Sequence, residues 1–147
     1  MNNVITSFRG EYFFLSNFYS CKVIYENIRY PSVEHAFQAA KTLDIESRIA
    51  LSCAPTASAA KKGGRAVKLR PDWESVKVQV MLDCLREKFK NPALRQKLID
   101  TGDSELIEGN NHGDRFWGQV NGEGKNMLGK LLMQVREELI RNENSND

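Results

Sequence analysis

The sequence predicts an α+β fold, a single helix-rich domain with a small N-terminal β-sheet. Short strand-like segments separated by turns occupy the first thirty residues, whereas from Ser32 onward apolar residues recur at helical spacing. Of the 147 residues, 41% are hydrophobic and 27% are charged, as in an ordinary globular domain. We therefore expect one domain over residues 1–141, followed by a flexible polar tail over residues 142–147.

The strands are predicted from short β-branched and aromatic runs. Val4–Phe8 is the first, and Val23–Tyr25 and Ile28–Tyr30 flank Glu26-Asn27, which has the length of a two-residue hairpin turn. Leu106–Glu108 is a further short strand, which places most of the sheet in the N-terminal third.

Helices are predicted from apolar spacing and from the residues that start and stop helices. The spacing predicts a helix over 33–42 capped by Ser32, a second after Asp44, a third from about Pro55 to Gly63-Gly64, a fourth opening at Pro71-Asp72, a fifth from Asn91-Pro92 to Gly102, and a last one capped by Asn126. Residues 109–125 are glycine-rich and predict an irregular loop.

Composition excludes several classes of protein. No apolar run approaches the roughly 18 residues of a membrane span, and the N-terminus does not resemble a signal peptide, so we expect a cytoplasmic protein. A net charge of +2 is low for a nucleic-acid binder. Cys21, Cys53 and Cys84 form no C-x-x-C motif and are expected to be reduced, buried thiols. The two histidines lack metal-ligand spacing, so we expect neither a metal nor a cofactor.

The first candidate site segment joins Arg9-Gly10 to a cluster of aromatic residues over 13–19. Its pattern fits neither strand alternation nor helix spacing. Asn17 is suited to reading the edge of a base, and Phe18 or Tyr19 to stacking on the same ring. The alternative is an aromatic plug in the core beneath a loop.

The second segment is the helix that bears Glu34, Gln38 and Lys41 at positions i, i+4 and i+7. If this stripe faces a cleft, burial raises the pKa of Glu34 and disfavours the charged form of Lys41, which makes that amine a potential nucleophile. The alternative is an amphipathic helix whose polar stripe faces solvent.

Two further segments carry charged side chains. A basic run suits a ribose phosphate or a plain solvated surface, and contains Lys61, Lys62, Arg65, Lys68 and Arg70. The loop from Glu108 to Asn126 combines Glu108 and Asp114 with Trp117-Gly118, a stacking wall for a ring. Its end at Asn126 predicts a free helix N-terminus that offers N–H donors to an anion.

These motifs together resemble the NADAR superfamily, and specifically its YbiA-like branch. The resemblance covers residues 8 to about 139 and rests on six motifs in order: FRGEYFFLSNFY, YPSVEHAFQAAK, RPDWESVKVQVM, LREKFKNPALRQKLIDTGDSELIEGN, DRFWG and NMLGKLLMQVREEL. It implies an N-glycosidase that hydrolyses riboflavin-pathway ribosylaminopyrimidinone 5′-phosphates. Other NADAR proteins remove ADP-ribose from guanine bases or are linked to NAD and ADP-ribose.

That chemistry needs a carboxylate to stabilise the ribosyl cation and an acid to protonate the leaving nitrogen. We predict Glu34 and Asp114 as this pair, with the roles unassigned and Glu108 as a further candidate. Lys41 is a candidate for a Schiff base with the ring-opened sugar. Predicted substrate-binding residues are Arg9, Gly10, Asn17, Phe18, Arg65, Lys68, Trp117, Gly118 and Asn126.

Two alternative functions stay open at this point. One is hydrolysis of ADP-ribosyl adducts on guanine, which would bring in ADP-ribosylated nucleic acid as a partner. The other is a module that binds ADP-ribose or NAD without turnover. Neither the oligomeric state nor the leaving heterocycle follows from the sequence.

Overall fold

The computed structural model describes residues 3–145, which divide into two compact units. The terminal unit consists of the chain up to Ser16 and from Phe89 onward, and the central unit is Asn17–Lys88. The terminal unit contains β1 (Val4–Ile5), a 3₁₀ helix (Gly10–Leu15), α5 (Pro92–Asp100), β4 (Glu105–Leu106) and α6 (Met127–Ser145). The central unit contains β2 (Val23–Tyr25), β3 (Ile28–Tyr30), α1 (Val33–Ala40), α2 (Ile45–Ser52), α3 (Ala57–Gly63) and α4 (Trp73–Lys88).

In the terminal unit, β1 pairs in parallel with β4, so that Val4 lies opposite Glu105 and Ile5 opposite Leu106. The first strand is therefore shorter than the predicted Val4–Phe8, because its partner has only two residues. The 3₁₀ helix then begins at Gly10, whose φ of +59° favours glycine. Helix α6 packs on β4 at Gly129, where a Cβ would collide with the Leu106 carbonyl oxygen.

In the central unit, β2 and β3 form the predicted antiparallel hairpin. Glu26 and Asn27 have φ values of +45° and +71°, as a two-residue turn with two left-handed positions requires. Helix α1 lies among α2, α3, α4 and the hairpin, and all eight of its residues are buried. Small side chains at Ala36, Ala39 and Ala40 allow this close approach.

For four of the helices, the predicted start is confirmed by individual hydrogen bonds. Ser32, Asp44 and Thr56 each accept a hydrogen bond from the backbone N–H three residues later. Asn91 caps α5 in the same way and Pro92 follows at its first turn. None of the helices within residues 3–145 is both long and apolar enough to cross a membrane.

Two predictions about the fold need correction. The described strands form two separate two-stranded ladders, one in each unit, and not one small sheet. Residues 142–145 belong to α6 and not to a flexible tail, while 146–147 lie outside the described residues. An ion pair between Arg141 and Glu137 at 2.7 Å and another between Arg95 and Glu143 at 3.5 Å support this last part of the helix. The single-domain assignment of residues 1–141 stays a prediction.

Candidate functional site

Helix α1 presents the polar stripe that the sequence singles out. Glu34 is 7% exposed and Gln38 is 4% exposed, so the stripe does not face solvent and the amphipathic alternative is wrong. Gln38 Nε2 donates a hydrogen bond to Glu34 Oε1 at 2.9 Å. Lys41 follows as the C-terminal cap of the helix and is half-buried.

Burial is the main influence on the Glu34 carboxyl, and it raises the pKa of this group above its ordinary value. The hydrogen bond from Gln38 and the positive charges of Lys61 and Lys41 oppose this effect in part, and His35 adds a smaller contribution in the same direction. A carboxyl group in such surroundings is able to hold a proton at a pH where an exposed glutamate has lost it. Glu34 is therefore suited to general acid catalysis.

The Lys41 amine shows the opposite effect. Burial lowers its pKa most, the Glu34 carboxylate raises it, and the neighbouring charges of Lys61 and Arg65 lower it further. An amine with a lowered pKa is more often neutral, and a neutral amine is nucleophilic. Within the central unit, Lys41 is thus electrostatically coupled to Glu34 and to Arg65, and Lys61 acts on both Glu34 and Lys41.

Asn17 is attached to the start of the same helix through its backbone. Its carbonyl oxygen accepts a hydrogen bond from the Glu34 backbone N–H at 3.0 Å. Its side-chain Nδ2 contacts the sulfur of Met81 at 3.6 Å, and its buried Oδ1 has no hydrogen-bond partner among the described residues. The adjacent Phe18 is 38% exposed, so part of its ring is accessible.

The basic run divides into residues with different surroundings. Lys61 and Arg65 act on the charges of α1, whereas Lys68 is exposed and no described contact ties it to that helix. Arg70 donates two hydrogen bonds to the Asp72 carboxylate, at 2.6 and 3.0 Å, which engages its guanidinium. Of the residues predicted to take a phosphate from this run, Arg65 is the one coupled to the stripe.

In the terminal unit, the two predicted carboxylates belong to one hydrogen-bonded loop. Asp114 Oδ1 accepts hydrogen bonds from the backbone N–H groups of Phe116 and Trp117, at 3.1 and 2.9 Å. Asn110 Nδ2 donates to the Asp114 carbonyl at 2.9 Å and to Glu108 Oε2 at 3.1 Å. The Asp114 side chain therefore stabilises the turn that carries Trp117.

Asn126 does not cap α6 as predicted. It has a φ of +51°, outside the extended range of a cap, and its side chain is turned towards β4. Its Oδ1 accepts from the Glu108 backbone N–H at 2.9 Å and its Nδ2 donates to the Leu106 carbonyl at 2.8 Å. The oxygen and the nitrogen of the Asn126 carboxamide therefore both bind backbone groups. A role of Asn126 in substrate binding stays a prediction.

The predicted free N-terminus of α6 is also wrong. The backbone N–H groups of Met127 and Leu128 donate to the carbonyls of Phe116 and Trp117, at 3.0 and 2.9 Å. These first N–H groups of the helix are consequently occupied by the glycine-rich loop and are not offered to an anion. The loop is ordered by such backbone bonds, although its sequence predicts irregular structure.

Trp117 and Gly118 occupy the centre of this loop. Trp117 packs edge to face on Phe116, with 4.8 Å between ring centroids. Gly118 is buried, and a Cβ there would collide with Glu108 and Asn110. Glycine is required at this position because the loop and the segment at Glu108 approach each other too closely for a side chain.

Arg9 and Gly10 also belong to the terminal unit. The exposed Arg9 lines a depression of about 430 Å³ together with Thr6, Ser7, Gly109, Asn110 and Gln119, among others. Gly10 adopts the positive φ with which the 3₁₀ helix begins. A basic side chain among amides suits an anionic, polar ligand, which is compatible with the predicted phosphate contact of Arg9.

The described residues contain no group of three or more His, Cys, Asp or Glu side chains arranged to hold a metal ion. Cys84 is buried, Cys21 is half-buried and Cys53 is exposed, so the expectation of buried thiols is wrong for Cys53. All three are free thiols.

Sequence reasoning missed several residues of these clusters. Gln38 was visible as part of the polar stripe, but nothing in the sequence assigned it a partner. The Asn110 network depends on a loop path that no periodicity predicts. Lys88, which is fully buried, stands three and seven residues after Leu85 and Met81, and this spacing does place it on the buried face of α4.

Comparison with known proteins agrees with these observations. The NADAR domain family matches residues 6–140. The N-glycosidase YbiA of Shigella boydii is 42% identical over 84% of this chain and 79% of its own length. The N-glycosidase of Nostoc punctiforme is 38% identical over 86% of this chain and 85% of its own.

A longer relative and a solved structure complete the comparison. A riboflavin biosynthesis protein of Vibrio vulnificus is 42% identical over 86% of this chain, but the match spans only 35% of that protein's length. The NMR structure of the E. coli protein YbiA superposes with a TM-score of 0.84 and 37% identity, covering 97% of this chain and 89% of that one. The match confirms the α+β fold class. The relatives that match over most of their length are N-glycosidases, and this chain is a glycosidase enzyme as they are. It belongs to the NADAR family, in its YbiA-like branch.

Proposed function

We propose that this enzyme hydrolyses the N-glycosidic bond of a phosphorylated aminoriboside, and that ribosylaminopyrimidinone 5′-phosphates of the riboflavin pathway are its substrates. The observation that carries the proposal is the pairing of a buried Glu34 with Lys41 on one stripe of α1, where burial raises the pKa of the acid and lowers that of the amine. The name of the Vibrio vulnificus relative supports the pathway.

In the proposed reaction, neutral Glu34 donates its proton to the nitrogen that leaves C1 of the ribose. The C1–N bond breaks, both of its electrons go to the nitrogen, and water supplies the hydroxyl group on C1. The proton that water releases returns to Glu34. The products are the free amine of the heterocycle and ribose 5-phosphate, and acid–base help of this kind contributes about 10² to 10⁴ in rate.

Lys41 offers a covalent route to the same products. The substrate opens its ribose ring to an imine, and the neutral Lys41 amine adds to C1 and displaces the heterocyclic amine. The resulting Schiff base is hydrolysed by water, which releases ribose 5-phosphate and restores the lysine. Arg65 and Lys61 place positive charge beside this stripe, which favours a phosphorylated substrate.

The roles of the other predicted residues are parts of the same proposal. In this proposal Asn17 reads the edge of the heterocycle, Phe18 stacks on it, and Arg65 or Lys68 binds the phosphate. The substrate contacts of Trp117 and Arg9 stay predictions from the sequence. Asp114 and Glu108 remain candidates for stabilising the ribosyl cation. Because both carboxylates also hold the loop that bears Trp117, a loss of activity on replacing either would not separate chemistry from folding.

A substrate panel tests the proposal. Purified enzyme is incubated with a ribosylaminopyrimidinone 5′-phosphate and, separately, with ADP-ribosyl-guanosine, and the release of ribose 5-phosphate or ADP-ribose is followed with time. We expect catalytic turnover of the first. Turnover of the second alone would replace the proposed substrate with ADP-ribosylated guanine, and stoichiometric binding without release would identify a binding module.

A further inference from the structure

We propose that Gln38 and Gly64 are positioning residues for Glu34, which direct one carboxyl oxygen to the Gln38 carboxamide and leave the other, Oε2, to bear the proton used in the reaction. The inference rests on the proposed function, since it concerns the proton that Glu34 transfers. It adds two residues to which that function gives no role.

The first step in the argument is the hydrogen bond along α1. Gln38 lies one turn after Glu34, and its Nε2 donates to Glu34 Oε1 at 2.9 Å while both side chains are more than nine-tenths buried. In a neutral carboxyl group, the carbonyl oxygen accepts a hydrogen bond better than the hydroxyl oxygen does. A donor fixed on Oε1 therefore favours the proton on Oε2.

The second step concerns what fixes the Gln38 carboxamide. Its Oε1 is buried and has no hydrogen-bond partner in the part of the chain that the structure describes. It lies against Gly64, where a Cβ would collide with Oε1 and approach Cδ to 2.8 Å. Rotating the carboxamide by half a turn would set its oxygen against Glu34 Oε1, which would then lose the donor that it has in the observed orientation.

The third step asks why residue 64 is glycine. Gly64 caps the C-terminal end of α3 with φ −64° and ψ −19°, a right-handed conformation open to any residue. The backbone does not require glycine there. Glycine is required there because the Gln38 carboxamide occupies the space that a Cβ would need. In this respect Gly64 differs from the glycines with positive φ, which the chain needs for their backbone angles.

The charged groups that act on the Glu34 carboxyl are separate from Gln38. Lys61 of α3 acts on it most strongly, followed by Lys41 and His35 of α1. In the neighbouring helices, Arg48 of α2 pairs with Glu26 of the hairpin turn, and Lys77 of α4 pairs with Glu74. A change in the titration of Glu34 in Gln38 variants can therefore be assigned to the lost hydrogen bond.

The experiment measures the titration midpoint of Glu34 directly, by ¹³C NMR of the labelled carboxyl groups, with the Glu34 signal identified by its absence in Glu34→Gln. Gln38→Met removes the donor at nearly constant volume. A hydrogen bond to a charged group is worth enough to raise the midpoint by about one pH unit when it is lost. Gly64→Ala should produce a similar rise, although it removes no polar group, and the double variant should show no further rise.

Two variants serve as matched controls. Gln79→Met removes the same i to i+4 glutamine–carboxylate bond, here to Asp83 at 2.8 Å, from an exposed position on α4. Gly63→Ala adds a Cβ one residue earlier, where it meets only the flexible end of Leu51 at 2.9 Å. Both should leave the Glu34 midpoint unchanged.

The pH dependence of kcat/KM is then recorded for the same variants, and the limb that belongs to Glu34 should move with the NMR midpoint. An unchanged midpoint in Gln38→Met and Gly64→Ala would overturn the positioning roles while leaving the proposed function intact. A midpoint that moves without the kinetic limb would overturn the use of the Glu34 proton in the reaction. If Gly64→Ala fails to fold, the Glu34 midpoints of Gln38→Met and Gln38→Asn still test whether Gln38 positions the Glu34 carboxyl group.

Discussion

Glu34 and Lys41 illustrate how burial, as the largest influence on each, shifts the pKa values of two ionisable side chains towards the neutral forms. The two residues lie about two helical turns apart. The Glu34 carboxyl group gains a proton more readily, and the Lys41 amine loses one more readily, than the same groups in water. Groups whose pKa values move in opposite directions and towards each other can exchange protons near neutral pH. Keeping either group charged at a buried position costs free energy of folding.

That cost gives a prediction for Glu34→Gln. The raised pKa means that the folded protein binds the carboxyl proton more tightly than the unfolded chain does, so stability falls as pH rises above the ordinary glutamate value. Replacing the carboxyl with a neutral amide should remove this loss. We expect the free energy of unfolding in urea at pH 7.5 to be equal to or higher than that of the wild type.

The exposed Glu74→Gln variant is the control for this measurement, with little change expected. A clear loss of stability in Glu34→Gln would mean that the ionised carboxylate is held by favourable interactions, and the argument from burial would be wrong.

Lys41 is tested by chemical trapping. Sodium borohydride added during turnover should reduce a Schiff base to a stable amine, and mass spectrometry should find the added ribose 5-phosphate on the peptide that contains Lys41. Lys41→Arg keeps the charge but lacks a nucleophilic amine, so no adduct is expected. The exposed Lys62→Arg should still be trapped. Absence of an adduct in an active wild type would remove the covalent route and leave direct hydrolysis.

At the scale of elements, the sequence predicted the structure best where a single residue determines the start or the turn of an element. The caps at Ser32, Asp44 and Asn91 and the Glu26-Asn27 hairpin turn are such cases. The prediction from sequence was wrong at Asn126, because an asparagine side chain can either cap a helix or bind the backbone of a distant segment. The pairing of β1 with β4 joins residues a hundred positions apart and has no local signal.

The structural role of Asn126 leads to a prediction of stability. Asn126→Ala should lower the free energy of unfolding by about 2 to 4 kcal/mol, because it removes two hydrogen bonds and leaves the buried Leu106 carbonyl without its donor. Asn121→Ala is the matched control, since Asn121 has nearly the same φ, +52°, but is exposed. Equal losses in the two variants, measured by urea denaturation, would show that the backbone angle and not the side chain matters at Asn126.

At the scale of the whole molecule, the family motifs and the helix spacing predicted the fold class, whereas the division of the described chain into two compact units was not predicted. Burial was the property least accessible from sequence. Lys88, a residue type that is rarely inside, is fully buried beside the ring of Tyr19, with 5.6 Å from Nζ to the ring centroid. Its spacing from Leu85 and Met81 places it on the buried face of α4, but the burial of the charged group itself depends on the packing around that helix.

Lys88 makes the stability of the protein depend on pH. Burial lowers its pKa to about 8, so the folded state releases this proton before the unfolded chain does and stability increases between that pH and the ordinary lysine value. Buried acids act in the opposite sense, since burial raises the pKa values of Tyr25 and Tyr30 to about 12. The comparison with Lys88→Met isolates the lysine contribution.

We expect the stability of the wild type relative to Lys88→Met to increase by about 2 kcal/mol between pH 7.5 and pH 9.5, in urea titrations at both pH values. Lys90→Met, at an exposed position, should show no such difference. A constant difference across this range would mean that Lys88 keeps its charge in the folded protein.

The most direct test of the catalytic account is the rate at which ribose 5-phosphate is released from a ribosylaminopyrimidinone 5′-phosphate by the wild type and by Glu34→Gln, with Glu74→Gln alongside. The account predicts that Glu34→Gln loses a factor of about 10² or more in kcat, the share that acid–base catalysis supplies, while Glu74→Gln keeps the wild-type rate. A Glu34→Gln variant that turns over at the wild-type rate would contradict it.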